Sequence, residues 1–275
     1  MVSEMSNIRI TFLGTGSGTC IHRAHTSIVF DCADGTRVLV DTGSGNALLR
    51  HGVEVGMLAE DFGPVLLTHH HADHMGGIPF LQVRRRQVNP AGPPLDIYST
   101  DEALEWARRL CQVTSPSLVV DQDGARTQGG HQVLLWHPIR EGEKVRLGVA
   151  THASSFAVDH ISGSVGWRVE SDEVAVVFSG DTRFSSNLVE RAKGARLLIH
   201  EALSTEADKD QTYEGRHSTA ADAGRAAALA GVGELVLTHI PTVFHRDPDP
   251  LVAEARRYFD GPISVARDLY QTAIR

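Results

Sequence analysis

Short apolar runs bounded by glycine, aspartate or proline punctuate this chain. Rich in Val, Ile and Leu, they predict strands at residues 8–13, 27–31, 37–41, 64–68, 95–98, 133–136, 145–152, 164–169, 173–179, 196–200 and 234–239. The reason is that β-branched residues between turn formers favour extended backbone. Apolar positions three and four apart predict helices at residues 46–50, 77–87, 101–111, 187–193, 219–229 and 249–258. Ser218 is placed to cap the helix at 219–229, and Gly231 to stop it. Strands come first in hairpin-like groups, then alternate with helices, and two such halves follow each other. That order fits helix-covered sheets in layers better than one doubly wound sheet. Residues 113–132, with Pro116, Gly124, Gly129 and Gly130, read as a surface excursion.

Composition narrows the class. A chain of 275 residues suits one large α/β domain, and 1–275 is taken as one domain. With 41% hydrophobic and 22% charged residues, bulk disorder is excluded. Lys+Arg 26 against Asp+Glu 34 gives a net charge of -8, which argues against a generally basic nucleic-acid surface. No apolar run approaches the roughly 20 residues that span a bilayer, so no membrane partner is expected. Met1-Val2-Ser3-Glu4-Met5 lacks a basic and an apolar signal region, so no signal peptide is expected. Cys20, Cys32 and Cys111 form no C-x-x-C pair. Neither a disulfide framework nor a cysteine zinc site follows, and a reducing cytoplasm is the expected location. Histidine changes the picture: 15 of them outnumber the 9 Phe and 4 Tyr together, and histidine is the commonest metal ligand.

They cluster in Leu67-Thr68-His69-His70-His71-Ala72-Asp73-His74-Met75-Gly76-Gly77. A buried-looking strand runs straight into this segment. His69 and His71 are two apart, so extended backbone points both the same way. Asp73 and His74 then fall in the turn before a helix, facing a second direction. One loop of this kind can serve two metal ions about 3.5–4 Å apart. Gly76 and Gly77 let the backbone pass close by.

His-x-His-x-Asp-His behind Leu67-Thr68 resembles the metallo-β-lactamase superfamily, and within it the ribonuclease Z branch. Further landmarks stand in that family's order over almost the whole chain. They are Phe12-Leu13-Gly14-Thr15-Gly16-Ser17-Gly18, Asp41-Thr42-Gly43, His160 with Gly166-Trp167-Arg168, Gly180-Asp181-Thr182, Ile199-His200-Glu201-Ala202, His217-Ser218-Thr219 and Leu237-Thr238-His239-Ile240. The resemblance implies an α/β fold, the four-layer αββα sandwich. It implies a first metal on His69, His71 and His160, a second on Asp73, His74 and His239, and Asp181 bridging them. Asp181 and His239 each follow an apolar strand, where α/β proteins put catalytic groups. His152 competes with His160, but only His160 has the family's spacing to Gly166-Trp167-Arg168. Two Zn2+ are expected from imidazole and carboxylate ligands, with Mn2+ or Fe compatible with the same types. In the family, the residues matching Glu201 and His217 pass a proton to the leaving oxygen. Asp73, Glu201 and His217 are therefore the expected catalytic groups. A helix-start contact for His217 and a salt bridge for Glu201 are the alternatives.

Weaker signals surround this core. Gly14-x-Gly16-x-Gly18 fits a dinucleotide fingerprint poorly, because its third glycine falls on Thr19, and a tight turn beneath the metal site is the better reading. His22, Arg23, His25 and His245 are candidates for the pocket mouth, or for a solvated loop. Arg84-Arg85-Arg86 reads as a solvated helix face, or else as a phosphate contact.

The chain also departs from the family. Enzymes that trim precursor tRNA carry a protruding arm between the strand after the third-motif His and the strand before the bridging Asp. Here residues 170–173 leave room for a hairpin turn alone. The family's loop with a Pro, a Lys and an Arg-Asn pair is replaced by Thr19-Cys20-Ile21-His22-Arg23-Ala24, and its Ser-Pro-Arg-Tyr by Pro241-Thr242-Val243-Phe244. The expectation is a dinuclear zinc hydrolase, a phosphodiesterase with a ribonuclease Z-like site for small phosphodiesters or related esters. A homodimer is compatible with it and tRNA is disfavoured as partner. The alternatives are a tRNA 3′-end endonuclease, a lactone or β-lactam hydrolase, and a non-catalytic scaffold on a decayed fold. Against the scaffold, all seven expected ligand positions are filled.

Overall fold

The computed structural model describes residues 8–118 and 133–275. Two seven-stranded sheets face each other. The first contains β1 (Ile8–Gly14), β2 (Ser27–Cys32), β3 (Arg37–Val40), β4 (Val65–Leu66), β5 (Leu95–Ser99) and β6 (Leu134–Pro138) in that spatial order. The second runs β7 (Lys144–Arg146), β8 (Thr151–Ala157), β9 (Val165–Ser171), β10 (Val174–Phe178), β11 (Leu197–Glu201), β12 (Glu234–Thr238), β13 (Ile263–Val265). The last strand, β14 (Gln271–Ile274), returns to the first sheet and pairs antiparallel with β1.

Two-residue alternation sorts the apolar side chains into three cores. Ile28, Phe30, Val38, Val40, Val176, Phe178, Leu197 and Ile199 meet between the sheets. Val29 and Leu39 point the other way, under α1 (Ala47–Glu54), α3 (Ile78–Val88) and α4 (Asp101–Thr114). Val177 and Leu198 lie under α5 (Ser186–Ala192), α7 (Ala220–Ala230) and α8 (Asp249–Ala255). The layers are thus α, β, β, α, as the sequence implied. Each large apolar side chain so buried is worth about 1.5–3 kcal/mol. Two short helices, α2 (Ala72–Met75) and α6 (Lys209–Glu214), sit in connections. No described helix is long and apolar enough to cross a membrane.

Several expectations change. The strand expected at 145–152 is two strands, with a turn in which Leu147 and Gly148 N–H donate to Thr151 O at 2.9 and 3.1 Å. Gly148 is pressed against the β2–β3 hairpin, where a Cβ would collide with Thr36 Oγ1. The helix at 220–230 is capped by Thr219 in a capping box with Asp222, and Ser218 Oγ instead donates to Thr182 O at 2.5 Å. Gly231 ends that helix at φ 64°, as expected. Of the excursion at 113–132, residues 119–132 lie outside the described residues, and residues before them finish α4 and turn over Pro116–Leu118. The link between β9 and β10 is Asp172 and Glu173 alone, with Ser171 opposite Val174 and Asp172 at φ 52°.

Asp34 ties the two sheets together near this end. Its carboxylate accepts from Thr36 N (2.9 Å) on its own hairpin, and from Ala150 N (2.8 Å), Thr151 N (3.0 Å) and Thr151 Oγ1 (2.9 Å) across the sandwich. Burial pushes its carboxyl up, but these donors outweigh that and hold it well below the ordinary carboxylate value. A depressed folded-state value adds stability above the unfolded pKa of about 3.9 and loses it as pH falls through the folded value. Asp34→Ala should therefore cost about 1–3 kcal/mol near neutral pH. In urea unfolding, the gap to wild type should narrow below about pH 4. A gap independent of pH would remove the charge from the explanation.

Candidate metal centre

Every candidate ligand lies at one end of the sandwich, where strands of both sheets stop. The segment after β4 brings His69, His71, Asp73 and His74, the last two on α2. His160 follows β8, Asp181 follows β10 and His239 follows β12. Non-glycine residues at φ 57° (His239) and 54° (Asp41), and Gly180 at φ 60°, turn the chain sharply at these strand ends. Such backbone is strained for most side chains, and Asp tolerates it better than most.

The seven fall into two groups that share one carboxylate: His69, His71, His160 and Asp181, and Asp73, His74, Asp181 and His239. Within each group the ligand atoms lie within 4.8 Å of one another. His71 Nδ1 is 3.1 Å from both His69 Nε2 and His160 Nε2. Asp181 Oδ2 lies 3.3 Å from His74 Nε2 and from His239 Nε2. Asp73 Oδ2 is 3.3 and 3.4 Å from the same two nitrogens. His152 is in neither group and sits on β8 opposite Arg146 and Glu170, whereas His160 is in the first group.

A second layer sets which nitrogen of each ring faces inward. His74 Nδ1–H donates to Asp41 Oδ2 at 2.7 Å, and His160 Nδ1–H to Arg216 O at 2.9 Å. His69 Nδ1–H donates to Thr68 Oγ1 at 3.0 Å, and that hydroxyl donates on to Asp41 Oδ2 at 2.8 Å. With the protons outward, the inward Nε2 atoms carry lone pairs. His74 Nε2 and Asp181 Oδ1 are buried and have no hydrogen-bond partner. Buried polar atoms are rarely left so. Imidazole nitrogens converging on a shared carboxylate, with such orphans among them, fit divalent metal ions.

The electrostatics divide the rings: for His74, burial is outweighed by Asp181, Asp73 and Asp41, which raise it well above its ordinary value, whereas two other rings move down. Burial drives His69 well below its ordinary value and His71 to about 4, so both are neutral ligands. Burial alone would push the Asp181 carboxyl up, but His239 and His74 hold it well below the usual range. Beside this centre, His217 Nδ1 lies 3.1 Å from Glu201 Oε2. Burial works against a charged His217, yet Glu201 and Asp181 outweigh it and raise the ring to about 9. Glu201 is itself buried and also accepts Thr182 N–H at 2.5 Å.

Some expected roles are not met. Arg23 is buried, donating to Thr15 Oγ1 (3.0 Å) and Ala266 O (2.6 Å), and does not line the mouth. Arg85 is neither solvated nor open to a phosphate: it is buried and donates to the carbonyls of Ala59 (3.0 Å), Phe62 (3.1 Å) and Pro93 (3.1 Å). His22 and His245 stack on each other, centroids 4.8 Å apart, and His25 Nδ1 meets Ser44 Oγ at 2.5 Å. Gly18 passes so close to Asp73 that a Cβ would lie 2.9 Å from Oδ2. Asp41, Thr68 and the Arg216 carbonyl were missed as supports. Asp41 was visible as a motif, but nothing in one sequence pairs it with His74.

Residues 36–240 match the beta-lactamase superfamily domain. The chain is 30% identical to ribonuclease Z of Myxococcus xanthus (strain DK1622), covering 96% of this chain and 97% of that protein. It is also 30% identical to ribonuclease Z of Mycolicibacterium gilvum (strain PYR-GCK), covering 97% and 96%. In fold it is similar to the metallo-beta-lactamase fold protein YhfI from Bacillus subtilis, with TM-score 0.79, 23% identity, and 96% and 98% of the two chains covered. The short form of human tRNase Z gives TM-score 0.70, 21% identity, and 97% and 99% coverage.

The second layer is testable. Asp41→Asn keeps the shape but removes the charge that orients His74. Metal affinity should fall about 10–100-fold, read by competition with a chromophoric chelator. Wild-type affinity in a folded variant would mean that Asp41 only supports the backbone.

Proposed function

We propose, given that the chain belongs to the metallo-β-lactamase superfamily in its ribonuclease Z-like branch and is a metal-dependent hydrolase, that it is a dinuclear zinc phosphodiesterase for small phosphodiesters. The observation that carries this reading is the two-residue turn between β9 and β10. At the position where the family resemblance calls for a tRNA-gripping arm, Ser171 pairs directly with Val174. The proton relay beside the ligands is kept, with His217 Nδ1 at 3.1 Å from Glu201 Oε2. A site with its chemistry retained and its large-substrate grip absent suits a small diester. The net charge of -8 weighs the same way.

His69, His71 and His160 would hold one cation, Asp73, His74 and His239 the other, with Asp181 between them. Such ions supply Lewis acidity and a nucleophilic water at neutral pH. Glu201 orients His217 and keeps it protonated, so that its proton is available to the leaving oxygen. A tethered leaving group, as in a lactone, has less need of that donor. Three buried free cysteines suit a reducing cytoplasm.

A second reading, a tRNA 3′-end endonuclease, draws on the relatives. The Mycolicibacterium gilvum ribonuclease Z aligns over 285 residues, close to this chain's own 275, so a long insertion does not separate the two. The two readings part on substrate size. Small phosphodiesters should be cleaved well and precursor tRNA weakly. Cleavage of precursor tRNA at its 3′ end, orders of magnitude more efficient than of the small esters, would reverse the order.

Elemental analysis should find close to two zinc ions per chain. In Asp181→Ala that count should drop, because two cations would face each other unshielded. A single tightly held metal, unchanged in Asp181→Ala, would count against the dinuclear site. The relay predicts a leaving-group pattern. His217→Ala should slow an alkyl or nucleoside phosphodiester by about 10²–10⁴-fold, and a p-nitrophenyl ester much less. Glu201→Gln should show the same pattern more weakly. Parallel plots of rate against leaving-group pKa for wild type and variants would assign the proton to another donor.

A further inference from the structure

The short helix α6 ends in a way that helix-end preferences do not predict. His217 N–H donates to Thr212 O at 2.9 Å, and Arg216 N–H donates to Tyr213 O at 3.1 Å. This pair of bonds is the Schellman motif, in which the residue after the cap takes left-handed φ and is usually glycine. A glycine is at hand in Gly215, yet it is the cap itself at φ -71°, and Arg216 takes the left-handed position at φ 58°. An L side chain is strained there and glycine is not. The first departure traces to His217: a Cβ on Gly215 would lie 3.3 Å from His217 Cδ2, so the glycine leaves room for the relay ring.

The second departure traces to His160. Arg216 is exposed and no described carboxylate pairs with it, so an ion pair does not account for its placement. Instead its Nη1 donates to His160 O at 2.5 Å, while its own carbonyl accepts His160 Nδ1–H at 2.9 Å. Two bonds running in opposite directions join a candidate ligand to the residue just before the relay histidine. The rings of His160 and His217 lie 4.9 Å apart. The carbonyl bond needs no side chain, so any residue at 216 would make it. It fixes a single point, about which the segment 215–217 can still pivot, and the guanidinium adds a second point. The other end of the tie is itself anchored. Asp159 accepts from Arg183 Nε at 2.9 Å and Nη2 at 3.0 Å, and Arg183 N–H donates to Asp159 O at 3.0 Å.

We propose that Arg216 is a positioning residue: its guanidinium, clamped to His160 O, holds His217 where its proton can reach the leaving oxygen. This rests on the relay of the phosphodiesterase reading and adds the group that sets its geometry. The strain at φ 58° is then the local cost of that placement.

Arg216→Gly is the informative variant, because it keeps the carbonyl bond and removes the guanidinium and the strain together. The clamp predicts wild-type metal content and a kcat lowered by up to about 10²-fold on an alkyl phosphodiester. KM should change little, and a p-nitrophenyl ester should be much less affected. Arg216→Lys, with a point charge on a flexible stem, should recover only part of the rate. Guanidinium ion added to Arg216→Gly, well below denaturing concentrations, should restore activity where NaCl of equal ionic strength does not. Wild-type kcat on both esters in Arg216→Gly, or an equal loss on the two, overturns the clamp. A second readout is independent of turnover. The Nδ1–H proton of His217, assigned by its loss in His217→Ala, should give a sharp downfield NMR line in the zinc-loaded wild type. That line should broaden in Arg216→Gly and sharpen again with guanidinium. If the wild type hydrolyses no phosphodiester, the phosphodiesterase reading fails and this line decides the clamp: no line in wild type, or the same line in Arg216→Gly, overturns it.

Discussion

Asp181 carries one buried carboxylate to a point where ring nitrogens arrive from both sheets. Nε2 atoms of His69, His74, His160 and His239 all lie between 3.3 and 3.9 Å from its Oδ2. A charge held this deep is costly unless it is neutralised from several sides. The first sheet supplies His69 and His74, and the second supplies His160 and His239. Neither sheet can complete the cluster alone, so the packing of one sheet on the other and the assembly of the site are one constraint. The apolar layer between the sheets sets the spacing, and Asp34 fastens a part of the rim.

The same constraint explains what surrounds the ligands. An imidazole aimed at a cation must keep its other nitrogen occupied, and Asp41, Thr68 and the Arg216 carbonyl do that for His74, His69 and His160. Arg216 adds a return contact, its Nη1 donating to His160 O at 2.5 Å. It does so from φ 58°, a backbone conformation that few side chains adopt readily. Positions of this kind give up some local stability to hold a side chain where the chemistry needs it.

The layers and the candidate ligands were legible in the sequence for different reasons. The apolar runs in segments such as Ser27–Cys32 and Val174–Phe178 are a local property, and they stand out because both faces of those strands are buried. The cluster from His69 to His74 is local too. His160, Asp181 and His239 came through family resemblance, since no spacing rule connects residues so far apart. Supports were illegible where their partner is distant in the chain, as with Asp41 and His74. Arg85 looked like part of a basic surface run because composition does not record that one guanidinium turns inward to three carbonyls. β13 and β14 escaped because each has only three or four residues and borrows its order from a neighbour already in place.

The pairing of β14 with β1 bears on how the protein is made. Ile8 lies opposite Ile274, and Asp268 holds the glycine-rich loop by accepting from Thr15 N (3.1 Å), Thr15 Oγ1 (2.7 Å) and Ala24 N (2.6 Å). Pairings this remote in sequence form slowly. Until residues 268–274 dock, the outer edge of β1 is unpaired and the loop beside Asp73 lacks the carboxylate that anchors it. His69, His71 and His74 are neighbours in the chain and need no such wait, so during folding an exposed strand edge and uncommitted histidines precede the closed pocket.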